Sequence, residues 1–111
     1  MNDEIKRIRD GLRAGHYGNN PQGAAEDKAI LSGEYAWIMA RLEDMVPRKA
    51  PLWNKMRQDF KSDTATDRAY DATDDGMNEI ILKLRAKGVE KMLNGLGSLI
   101  NIATKQADNL M

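Results

Sequence analysis

The sequence has no cysteine and a single histidine. Without thiols there is no disulfide, no thiolate nucleophile and no ordinary structural zinc site. His16 lies in the glycine-rich stretch "GHYGNN" with no acid beside it, and one histidine alone makes no transition-metal site. Aromatic residues are also scarce, with two Trp, three Tyr and one Phe in 111 residues, so each marks a position to be explained. Net charge is zero, seventeen Lys and Arg balancing seventeen Asp and Glu, which argues against bulk nucleic-acid binding and against acidic mimicry of a nucleic acid. An electrostatic partner must read a local patch. The longest apolar run, "AWIMA", is far short of a membrane span, and "MNDEIKRIRDGLR" lacks the apolar segment of a signal peptide. The expectation is a soluble, cytoplasmic protein with no membrane partner.

What is present is helical periodicity. A chain of this size buries roughly 60–70% of its unfolded surface, enough for one modest core. Ile5, Ile8 and Leu12 give a short amphipathic helix, weakened by Gly11 and Gly15, and "GHYGNNPQG" reads as a flexible loop, so 1–23 is expected to be a mobile amino-terminal helix and loop. Over 24–46, Leu31, Tyr35, Ile38, Leu42 and Met45 form one stripe, with Ile30 and Trp37 about 100° away from it. Pro47 and Pro51 are expected to end that helix and start the next. The segment 51–72 then carries Trp53, Met56 and Phe60 on one face, and Ser62, Asp63 and Thr64 as candidate N-caps. From Gly76, the residues Met77, Ile81, Leu84, Met92, Leu99 and Ile102 line one face of a long helix over 76–108. No alternating Val/Ile-rich segment occurs, so the expected fold is all-α: a small single-domain helical bundle with a long carboxy-terminal helix and no sheet.

That last helix bears on assembly. Its 33 residues (76–108) would extend about 50 Å, against a diameter of roughly 35 Å for a compact domain of this size. Gly88 and Gly95, seven apart, share a face, and a glycine within a helix costs about 1 kcal/mol relative to alanine. Either the helix kinks near "NGLGS" or Gly88 and Gly95 admit a second backbone at a homo-oligomer interface.

The most unusual stretch is "DRAYDATDDGMNEIIL", residues 67–82. Asp71, Thr73, Asp75 and Gly76 match the start of a calcium loop, but the position of the bidentate glutamate is Leu82, so no metal is expected. Asp63, Asp67, Asp71 and Asp75 are spaced by four and would repel one another on a continuous helix. A helix break with a solvated face accounts for them, as does docking against a basic surface of this chain or another. No phosphate loop, nucleophile elbow or paired-carboxylate signature is present, so neither catalysis nor a cofactor is expected.

"PRKAPLWNKMRQDFK", residues 47–61, holds Arg48, Lys49, Lys55, Arg57 and Lys61 against Asp59 alone. Cations interleaved with Trp53 and Phe60 suit a single-strand surface, where charges neutralise phosphates and rings stack on bases. The competing reading puts the rings in the core.

From Glu34 to Ile100 the succession of "EYAWIMARL", "PLWNKMRQDFKSDTATDRAYDATDDG" and "KLRAKGVEKMLNGLGSLI" resembles small helical bacteriophage proteins of uncharacterised role encoded near recombination and replication genes. The resemblance implies a helical accessory protein, either acting on single-stranded DNA or inhibiting host nucleic-acid or defence machinery in an anti-CRISPR-like way. Two expectations follow. In one, Arg48, Lys49, Lys55, Arg57 and Lys61 bind a nucleic-acid strand. In the other, Trp37 with Asp63, Asp67, Asp71 and Asp75 docks on a nucleic-acid-binding protein.

Overall fold

In the computed structural model, residues 3–110 are described, with side chains through residue 106. Residues 1, 2 and 111 of the segments considered above lie outside these limits. Four α-helices follow in order: α1 Asp3–Ala14, α2 Pro21–Arg57, α3 Asp63–Asp71 and α4 Asp74–Leu110. The fold is an all-α bundle with a long carboxy-terminal helix, and no strand occurs among the described residues. The chain divides into two compact units, one formed by 1–36 with 87–111 and the other by 37–86.

Local chemistry sets each boundary. Gly15, at φ +73°, ends α1 in the left-handed conformation that glycine adopts without penalty. The His16 N–H donates to Gly11 O (3.0 Å) and the Gly15 N–H to Leu12 O (3.3 Å), the paired bonds of a Schellman stop. Asn20 caps α2, its side-chain oxygen accepting from the Gly23 N–H at 3.0 Å, and Pro21 occupies the first helical position. Ser62 caps α3 through Ala65 N–H (3.1 Å), and Thr73 caps α4 through Gly76 N–H (3.0 Å). A side chain at Gly76 would collide with the Tyr70 carbonyl, so this close approach of backbone to backbone requires glycine. The glycine that resembled part of a calcium loop is there for packing.

In the first unit, Ile5, Ile8, Tyr17, Ala24, Leu31, Val89, Met92 and Leu96 are buried. The expected mobile segment is held: Ile5 and Ile8 are at most 2% exposed, and Tyr17 is buried with them. In the second unit, Ile38, Met45, Thr66, Tyr70 and Ala86 are buried. The stripe expected on α2 holds, with Leu31, Ile38 and Met45 buried and Tyr35 and Leu42 half-buried.

Three expectations need correction. α2 does not stop at Pro47 but continues through both prolines to Arg57. Each interior proline forfeits a helical hydrogen bond at a cost of about 3 kcal/mol. Pro47 and Pro51 are exposed, however, as is Glu43, so carbonyls left without helical donors lie at the water-facing side. Phe60 is not on the Trp53–Met56 face, because α2 ends before it. The third correction concerns α4. Met77, Ile81, Leu84 and Ile102, expected in the core, are exposed. The buried and half-buried positions instead recur seven apart as Asp75, Leu82, Val89, Leu96 and Ala103, and as Glu79, Ala86, Leu93 and Ile100. In 74–86 the inward positions include two acids, so hydrophobicity alone selects the wrong side.

Candidate docking site

The basic and acidic segments meet each other inside the 37–86 unit. Arg57 Nε donates to Asp63 at 2.8 Å, and its Nη1 donates to the Phe60 carbonyl at 2.6 Å. Arg48 pairs with Asp75 at 3.3 Å, and Lys49 with Glu79 at 3.3 Å. Lys49 Nζ also stands 4.8 Å from the centroid of the buried Tyr70 ring, a cation–π contact. Burial, followed by the nearby Glu79 charge, raises the Tyr70 pKa above its ordinary value. The indole N–H of Trp53 donates to Asp67 at 2.8 Å. α3 stops at Asp71, so the four carboxylates never share a continuous helix; three take basic or N–H partners from α2, and Asp71 is exposed. Among the described residues no group of three or more His, Cys, Asp or Glu could hold a metal ion.

Of the five cations expected to bind a strand, Arg48, Lys49 and Arg57 are therefore engaged by carboxylates, while Lys55 and Lys61 are exposed without an ion pair among the described residues. Trp53, half-buried with its N–H bonded to Asp67, is a poor stacking platform. Asp63, Asp67 and Asp75 are likewise committed within the chain. The proposed strand-binding and acidic docking surfaces largely neutralise each other.

Trp37 is different. It is 45% exposed, with the Arg41 guanidinium 4.6 Å from its ring centroid. Together with Asp44, Met45, Arg48, Asn78, Ile81, Leu82 and Arg85, these residues line a cleft of about 460 Å³ between α2 and α4 within the 37–86 unit. Along α4 the exposed Met77, Ile80, Ile81 and Leu84 recur at steps of three, one and three, which places them on one helical face. Arg41 and Arg85 are exposed and form no ion pair with a carboxylate among the described residues. Sequence reasoning missed both arginines, which come from different helices and belong to no charge run. The i, i+4 spacing of Trp37 and Arg41 was a readable signal for one of them.

Within the chain the two glycines have different surroundings. A side chain begun at Gly95 would lie 3.6 Å from Leu12 Cδ2 of α1, ordinary contact within the same unit, and one at Gly88 would enter open space. Gly95 thus faces this chain's own first helix, and Gly88 is open.

The first unit holds a separate polar cluster. Arg7 makes two hydrogen bonds to the Asp27 carboxylate at 2.9 and 3.1 Å, and the Tyr17 hydroxyl donates to it at 2.6 Å. The bonds from Arg7 hold the Asp27 carboxyl below its ordinary range against the opposing effect of burial. Burial, reinforced by Asp27, pushes the Tyr17 phenol up to about 12. A side chain on Gly11 would press on the Tyr17 ring at 3.1 Å, so the glycine that weakens α1 also makes room for this ring. His16 is exposed and lines the adjoining cleft with Tyr17, Glu26 and Asp27. This cluster ties α1 and the following loop to α2.

No described helix is long and apolar enough to cross a membrane. Compared with known protein families, curated proteins and solved structures, the chain gives no match.

Proposed function

We propose that the protein acts by binding, without catalysis, as a small helical accessory protein whose partner is another protein docked on the Trp37 face of the 37–86 unit. One observation carries this reading: of the nine large hydrophobic side chains exposed among the described residues, all but Ile102 lie between positions 37 and 86. Trp37 and Ile81 line one cleft, and Met77, Ile80 and Leu84 share the α4 face of Ile81; apolar surface rimmed by charge is what protein interfaces offer, and exposed tryptophan and arginine are the side chains that most often dominate their energetics. The resemblance to phage proteins supplies the proposed origin and the partner's class, a nucleic-acid-handling or defence protein of the host cytoplasm. Direct strand binding is the second reading, favoured by the free Lys55 and Lys61 together with Arg41 and Arg85.

Capture from a nuclease-treated lysate of the host cells separates the two. On the docking reading a discrete protein is retained, and the Trp37→Ala, Ile81→Asp double variant loses it while its circular dichroism stays helical. The Lys55→Glu, Lys61→Glu variant keeps it. Loss of the captured species on nuclease treatment, together with a strand affinity that falls steeply with salt, would favour the second reading.

A further inference from the structure

Resting on the docking reading, we infer that the occupant of the Trp37 face is an acidic amphipathic helix of the partner protein. The cleft sets three arginines, Arg41, Arg48 and Arg85, against one acid, Asp44. Arg48 already shares its charge with Asp75. Arg41 and Arg85 have no carboxylate, so two cations stand ready beside exposed apolar surface. Arginine in that position recognises carboxylates through paired, geometrically matched hydrogen bonds. Beside the cleft, Met77, Ile80, Ile81 and Leu84 offer a helical row, the pattern that receives apolar anchors spaced i, i+3, i+4 and i+7 on a docking helix.

The other occupants fit less well. A nucleic-acid strand needs several rings for stacking; this face has the Trp37 ring, and its extent is otherwise aliphatic. A second copy packed by two-fold symmetry would set the same surplus of arginine against itself, because such an interface pairs a patch with its own image. Nor does this chain supply the helix: α3 is acidic, but its Thr66 and Tyr70 are buried inside the unit.

The test uses three fluorescent probes in polarisation titrations against the full chain. The first is a synthetic alanine-rich peptide of about 18 residues, long enough to form helix in isolation, with leucine at i, i+3, i+4 and i+7 and a few glutamates flanking that row without facing one another at i, i+4. The second has lysine in place of every glutamate, and the third is an oligothymidylate of about 20 nucleotides. The acidic helix should bind at least tenfold more tightly than either other probe. Trp37→Ala and the Arg41→Glu, Arg85→Glu double variant should each weaken it tenfold or more with helicity retained. Equal binding of the two peptides, tighter binding of the oligothymidylate, no binding of the acidic helix at high micromolar concentration, or a wild-type dimer dissolved by Trp37→Ala would each overturn the inference. If lysate capture depends on Trp37 while the acidic helix does not bind, this inference fails and the docking reading stands. If capture is indifferent to Trp37, the docking reading itself fails.

Discussion

Asp27 is the only buried acid among the described residues, and its three hydrogen bonds show how a carboxylate is kept charged there. Removing the Tyr17 hydroxyl with Tyr17→Phe should cost about 1.5–3 kcal/mol in urea unfolding, the usual worth of a hydrogen bond to a charged group. The two Arg7 bonds remain, so Asp27 stays satisfied and the variant still folds. The sign of the pH dependence follows from the shifts. Tyr17 is raised in the folded state to about 12, so its contribution is complete below the unfolded value near 10 and is lost as pH rises toward 12. Asp27 is lowered, so its contribution is complete above the unfolded value near 4 and is lost as pH falls below it. Unfolding measured across pH should therefore show an alkaline loss between about pH 10 and 12 that is smaller in Tyr17→Phe, and an acid loss below about pH 4 that is smaller in Asp27→Asn. An alkaline limb identical in wild type and Tyr17→Phe would contradict the assignment.

The helices test how far local signals reach. The Ser62 cap was legible because it depends on residues within one turn, and the α2 stripe was legible because Leu31, Ile38 and Met45, its buried positions from 31 to 45, are apolar. The passage of α2 through Pro47 and Pro51 was not, since it is sustained by partners distant in sequence: Asp75 and Glu79 hold Arg48 and Lys49, and Asp67 holds Trp53. The inward side of α4 was misread for the same reason, because Asp75 and Glu79 face the unit to meet those cations. Two substitutions probe these elements. Pro47→Ala restores a donor to the middle of α2 and should raise stability by about 1–3 kcal/mol, the helix penalty less the gain in unfolded-chain entropy. A loss would mean that the proline is tolerated for a packing reason. Gly76→Ala drives a methyl group into the Tyr70 carbonyl and should lower the melting temperature by roughly 10 °C or more, from overpacking of about 3 kcal/mol. An unchanged melting temperature would show that α3 and α4 can separate at no cost.

Across the whole chain, zero net charge conceals a local arrangement. Arg48, Lys49 and Arg57 are paired with Asp75, Glu79 and Asp63, whereas Arg41 and Arg85 stand unpaired among the described residues beside the apolar row on α4. Trp37 was legible as an outlier from the α2 stripe. Its setting was not, because the neighbouring Ile81 and Arg85 arrive only when α4 folds against α2. The central claim is that Trp37 enters a protein interface. The most direct measurement is Trp37 fluorescence in a Trp53→Phe background, with and without the captured partner protein. The account predicts a blue-shifted emission and protection from acrylamide quenching in the complex, both lost on charge reversal at Arg41 and Arg85. Emission and quenching that stay unchanged when the partner binds would contradict it.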